Sequence, residues 1–138
     1  MSGDDARPRA VVAVVTRDGE VLVVRRAPGV PRPGYWMPVS GRVRPGESQP
    51  AAVVREVREE VGLRVTPHLK VWECDTDDGA FRLDWWLATA GPGHLRLDPA
   101  EVSEARWVAP ERFADLAPTF AAHREFFARV YPALELPE

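Results

Sequence analysis

The chain has 138 residues, 45% of them hydrophobic, a formal net charge of −3 and a single cysteine. A chain of this length forms one core and buries roughly two-thirds of its unfolded surface, so a single domain over residues 1–138 is expected. The acidic balance argues against a general surface for a nucleic-acid polymer, Cys74 alone cannot form an internal disulfide, and no stretch approaches the roughly 18 apolar residues of a membrane span.

The opening MSGDDARPRA has no apolar run of the kind a secretion signal needs, which makes the cytoplasm the expected location and leaves residues 1–8 polar and frayed. Ala10 to Thr16 and Glu20 to Arg25 are β-rich runs joined by Arg17-Asp18-Gly19, where Asp-Gly signals a hairpin. Their apolar residues are nearly continuous, the pattern of strands covered on both faces. Ala27 to Gly34, with three prolines and two glycines, reads as a loop.

The segment from Gly41 to Leu63, GRVRPGESQPAAVVREVREEVGL, organises the rest. Ser48 is placed to cap a helix, Pro50 falls in its first turn and Gly62 suits a left-handed end, which predicts a helix from Gln49 to Val61. Val53, Val54, Val57 and Val61 gather on one side, toward a core, and Glu56, Glu59 and Glu60 crowd a neighbouring arc. Carboxylates at these spacings repel each other. With Arg55 and Arg58 elsewhere on the wheel, a hard divalent cation on oxygen ligands is the expected compensation, against the plain alternative of a solvated acidic face.

Beyond the helix, Leu63 to Asp75 and Ala80 to Thr89 read as two longer strands. In the second, Phe81, Leu83, Trp85 and Leu87 alternate with Arg82, Asp84, Trp86 and Ala88, so one face is core and the other is expected to line a pocket in which a base stacks on Trp86. His94 to Leu97 suggests a short strand, Asp98 to Glu104 an acidic loop, and Ala105 to Val108 a last strand. Pro110 to Leu116 and Thr119 to Val130 read as helices, with Phe120, Phe126, Phe127 and Val130 as the apolar side, and Leu134 to Glu138 as a polar tail. Lys70 is the only lysine; the arginines suit phosphate recognition, although compositional bias also explains them.

The order and spacing of Gly41, Glu47, Arg55-Glu56-Val57, Glu59-Glu60 and Gly62-Leu63 resemble the Nudix box of the Nudix hydrolases, and every fixed position of that 23-residue signature is met. The resemblance implies an α/β fold, an α/β/α sandwich with a mixed, curved β-sheet. It further implies that Glu56, Glu59 and Glu60 bind Mg²⁺ or Mn²⁺, that Glu47 and Arg55 pair to lock the preceding loop, and that Gly41, Gly46 and Gly62 shape that loop and the helix end. Glu56 and Glu60 are the expected principal ligands, and Glu59 a ligand or water-positioning base. Members commonly add a carboxylate from a later loop; Glu101, six residues before Trp107, is preferred over Glu104. Arg25 and Arg26 are expected at the phosphates or nucleoside, and Trp36 at the base.

Where the commonest pattern ends in a Pro-Gly-Gly turn, this chain has Val39-Ser40-Gly41, resembling the version found in some nucleoside- and pterin-triphosphate pyrophosphatases. The implied activity is metal-dependent hydrolysis of a nucleoside diphosphate linked to another group: a nucleoside triphosphate, dihydroneopterin triphosphate, a nucleotide sugar or a dinucleoside polyphosphate. The partner is thus a nucleotide-type small molecule, with no membrane and no nucleic-acid polymer; a homodimer follows only from the habit of relatives. Two rivals use the same scaffold. A non-catalytic nucleotide-sensing module would be expected to have lost a carboxylate, and an isoprenyl diphosphate isomerase would need a motif around Cys74. His68, His94 and His123 have no zinc-ligand spacing.

Overall fold

A computed structural model describes residues 6–136. Residues 1–5 of the expected frayed start and 137–138 of the expected tail lie outside the described residues. Strands β1 (Arg9–Arg17) and β2 (Glu20–Arg26) form the predicted hairpin, with Asp18 and Gly19 both at positive φ in the turn. Two short strands follow, β3 (Trp36–Met37) and β4 (Val39–Arg42), and then α1 (Gln49–Val61). The chain continues through β5 (Val65–Asp75), β6 (Arg82–Ala90) and β7 (Val102–Val108).

The seven strands make one mixed sheet. β1 runs parallel to β6 along one edge; its other edge pairs antiparallel with β4 over Ala10–Ala13 and with β2 at Thr16–Arg17. β3 and β7 pair with β2, and β5 with β6. The β5–β6 ladder shifts register after Pro67 and after Lys70, irregularities that bend and twist a strand pair.

The continuous apolar runs of β1 and β2 are buried on both faces. Val11, Ala13, Val15, Leu22 and Val24 face α1, which contributes Ala52, Val53, Val57 and Val61. Val12, Val14, Val21 and Val23 face the opposite layer, where Phe113, Phe126, Phe127 and Tyr131 pack. Burying each large aliphatic side chain of α1 stabilises this arrangement by roughly 1.5–3 kcal/mol.

Several expectations are corrected. Val54 is 37% exposed; at about 100° per residue it falls beyond Val61, past the edge of the core stripe. His94 to Leu97 forms no ladder, because it crosses the end of α1, where the Arg96 N–H donates to the Val61 carbonyl at 2.7 Å. The C-terminal segment is less regular than two helices. A 3₁₀ turn covers Pro110–Asp115, α2 covers only Ala121–Glu125, and a π turn spans Phe126–Val130. Phe120 caps α2 and packs on the α1 side of the sheet instead of with Phe126 and Phe127. No helix among the described residues is long and apolar enough to cross a membrane.

The second face of β6 also differs from expectation. Asp84 is fully buried within a ring of donors: Arg9 donates to it twice, at 3.0 and 2.8 Å, Gln49 Nε2 at 2.9 Å, and Lys70 Nζ lies 2.8 Å away. The Trp86 indole N–H donates to Gln49 Oε1 at 2.9 Å. A buried carboxylate is tolerated only when its lone pairs are filled in this way. The network ties the start of α1 to the sheet.

Candidate active site

Helix α1 begins and ends as its residues require. The Ser48 hydroxyl accepts from the Ala51 N–H, Pro50 sits in the first turn, and Gly62 adopts φ 74° with its N–H donating to the Arg58 carbonyl. The wheel places Glu60 and Glu56 between Val53 and Ala52, both fully buried, so these two carboxylates lie within the sector of the helix that turns inward. Glu60 is accordingly only partly accessible and shares a hydrogen bond with Glu56. Its carboxyl is pushed well above the ordinary carboxylate range, first by burial, then by Glu56 and the charge of Glu101; Arg26 opposes the shift.

Glu56 reaches this position because residue 41 has no side chain. A Cβ added to Gly41 would lie 2.1 Å from the Glu56 carboxyl carbon. Gly41→Ala is therefore expected to fold, since only the end of a flexible side chain must move, but to lose about tenfold or more in kcat as Glu56 is driven out of place. Thermal melts beside steady-state rates check this, and unchanged rates would show that Glu56 has no fixed task.

The loop before the helix is held by Arg55. Its Nε donates to Glu47 Oε2 at 2.7 Å and its Nη2 to Glu47 Oε1 at 2.8 Å and to the Arg42 carbonyl at 2.9 Å. This is the pair that the box implies. Arg55 Nη1 also reaches Glu56 at 2.7 Å and Glu59 at 2.8 Å. The expectation that the helix leaves its carboxylates unneutralised is corrected accordingly: the guanidinium folds back along its own helix, a freedom the wheel position of its Cα does not show. Glu59 is drawn outward to Arg55 and, at 3.5 Å, to Arg44.

These groups line a cavity of about 1050 Å³. Glu56, Glu59, Glu60 and Glu101 line it together with Arg26, Phe120 and His123, and Arg26 acts electrostatically on Glu60, Glu101 and His123. Arg26 is half-buried, which lowers its pKa, while Glu60 and Glu101 act to raise it. The loop bearing Glu101 is fixed at two points: Ala27 N–H donates to the Glu101 carbonyl and Asp98 N–H to the Glu60 carbonyl, both at 2.9 Å. Glu104 is not part of the cavity; it lies on β7, bonded to Arg106 and 4.0 Å from Arg25.

Three residues expected at the substrate lie elsewhere. Arg25 pairs with Glu104, outside the cavity. Trp36 is 6% exposed, packed in the core on the side away from α1 and covered by Arg106. Trp86 is held against Gln49. Two residues not singled out for the site, Phe120 and His123, line it; they come from the irregular C-terminal segment, where no spacing points to a pocket.

Glu56 and Glu60 are hard oxygen donors already in contact, a set that fits Mg²⁺ or Mn²⁺. Among the described residues, no three His, Cys, Asp or Glu side chains converge on one point, because Glu59 is turned to its arginines.

A model of the NUDIX domain matches residues 6–130. Over 56 residues, the chain is 43% identical to the CTP pyrophosphohydrolase of Escherichia coli (strain K12), covering 41% of this chain and 42% of that protein. Over 104 residues it is 35% identical to the NAD-capped RNA hydrolase NudC of Stutzerimonas stutzeri (strain A1501), covering 71% of this chain and 35% of that one. The chain thus spans well under half the length of these curated relatives. Among solved structures, a MutT NUDIX hydrolase from Burkholderia pseudomallei superposes with a TM-score of 0.77 at 26% identity, over 91% of this chain and 99% of that one. The E. coli ORF135 protein superposes with a TM-score of 0.71, also at 26% identity, over 92% and 89%.

Proposed function

Since the chain belongs to the Nudix hydrolase family, we propose that it hydrolyses the diphosphate linkage of a nucleoside diphosphate joined to a further group, with Mg²⁺ or Mn²⁺ as cofactor. The observation that carries this reading is the pairing of Glu56 with Glu60 in the wall of a cavity large enough for a nucleotide, which Arg26 and Glu101 also line.

Glu56 and Glu60 would hold the cation. When bound, it supplies charge neutralisation at the phosphoryl oxygens and lowers the pKa of a coordinated water. The remaining work falls to the chain's own side chains. Arg26 offers its guanidinium to the phosphate chain, whose negative charge then lies against a fixed positive one. Glu101, close enough to act on Glu60 electrostatically, takes the proton from the attacking water. The water oxygen forms a bond to phosphorus, the bridging P–O bond breaks, and its electron pair leaves on the departing phosphate. Glu59 stays at the rim, where Arg55 and Arg44 hold it, and Arg55 keeps Glu47, Glu56 and the loop in register.

The relatives' names motivate the panel that tests the proposal. CTP, the other nucleoside triphosphates, NAD, ADP-ribose, a dinucleoside polyphosphate and a short NAD-capped RNA are incubated with Mg²⁺ or Mn²⁺, and released nucleotide, phosphate and pyrophosphate are scored. Turnover of at least one member, abolished by chelation, is the expected result. A folded protein that cleaves none of them with either metal would overturn the reading.

A further inference from the structure

His123 is 2% exposed, and its Nδ1 has no hydrogen-bond partner among the described residues. A buried polar nitrogen left unpaired is costly, and in most proteins such a histidine donates to a backbone carbonyl. Its surroundings offer rings instead. The Trp85 centroid lies 4.8 Å away, edge-on, and that of Phe120 5.3 Å away. Asp77, the acid that acts on it electrostatically, is committed to the Ala121 and Ala122 N–H groups at the start of α2.

Burial holds the His123 imidazole down to about 3, against a smaller opposing effect of Asp77, so the ring is neutral at pH 7. A neutral imidazole carries one N–H donor and one bare acceptor. The ring lines the same cavity as Glu60, and Arg26 acts electrostatically on both residues. A ligand with its phosphates at Arg26 and the carboxylates would therefore bring the rest of the molecule within reach of Phe120 and His123, which line the same cavity.

Resting on the hydrolase reading above, we propose that His123 is a specificity-determining residue that hydrogen-bonds the edge of a nucleobase lying against Phe120. The substrate then carries a heterocyclic base, and base-free diphosphates such as isoprenyl or inositol compounds are excluded. A packing role for His123 predicts no difference between ligands with and without a base.

Two measurements separate these outcomes. In the first, kcat/KM is compared for the best nucleoside triphosphate of the panel and for ribose 5-triphosphate, in the wild type and in His123→Phe. The substitution is expected to lower kcat/KM for the nucleotide about tenfold, through KM, as befits one lost hydrogen bond, and to leave the base-free substrate within about twofold. His123→Asn, which keeps a donor and an acceptor, is expected to recover part of the preference. An equal fall for both substrates, or no fall for either, overturns the proposal. In the second, ¹⁵N-histidine spectra of the unmutated protein are followed as nucleoside monophosphate or ribose 5-phosphate is added, with the His123 signal assigned from His123→Asn. A shift with the nucleotide alone supports the proposal, and equal shifts or none overturn it. This measurement needs no turnover, so it decides on His123 even if the hydrolase reading fails.

Discussion

Glu60→Gln is expected to lower kcat by at least about a hundredfold while leaving the fold intact, the scale of losing one preorganised electrostatic contact in a dry site. Glu60 lines the cavity, half-buried, and it already shares a hydrogen bond with Glu56. Glutamine keeps the shape and can donate to Glu56 as the protonated carboxyl does, so in metal-free protein the change neither opens a cavity nor loses that contact. The melting temperature should therefore stay nearly level while turnover collapses, a split that a merely structural residue would not give. An equally active Glu60→Gln protein refutes the metal assignment.

For Arg55→Ala, the expected result is a loss of about 2–3 kcal/mol of stability together with most of the activity, because five short hydrogen bonds from one guanidinium disappear. Glu47 is left without its bidentate partner, and Glu56 and Glu59 regain the mutual repulsion that Arg55 relieves. Lysine is not expected to rescue the variant, since a point charge cannot serve Glu47, Glu56 and the Arg42 carbonyl together. The hydrogen bonds from Arg55, aided by the Arg44 N–H, hold the Glu47 carboxyl down at about 2, below its ordinary 4.5. A depressed carboxylate contributes stability that is fully present above its unfolded pKa and is lost as pH falls through the folded one. The wild type should accordingly lose this contribution between about pH 4.5 and pH 2. Urea titrations at pH 7 and pH 3 test this: the gap between wild type and Arg55→Ala should narrow in acid, and a constant gap would show that Glu47 is not the partner that matters.

Much of the scaffold was legible because it depends on local chemistry. A serine at the helix start, a proline in its first turn and a glycine at its end mark α1 without tertiary information, and the unbroken apolar runs of β1 and β2 announce a sheet covered on both sides. The Glu47–Arg55 pair was legible only through the resemblance of the box. What could not be read depended on segments remote in sequence. Asp84 looked like a pocket residue because alternation shows which face it occupies, but not that Arg9, Gln49 and Lys70 converge on it. Arg55 looked uninvolved with its own helix because a wheel places Cα atoms and ignores how far a long side chain folds back. The spacing of His123 from the other histidines argues only against a zinc site; its interest comes from burial without a partner, which no sequence pattern encodes.

The central claim is that the half-buried Glu56–Glu60 pair of α1 is a divalent-cation site. Calorimetric titration of Mn²⁺ into the wild type, Glu56→Gln and Glu60→Gln, with a non-hydrolysable nucleotide present, tests it most directly. Saturable binding by the wild type that is lost or greatly weakened in both variants is the predicted result. Undetectable binding to the wild type, or binding of the same strength in all three proteins, contradicts it.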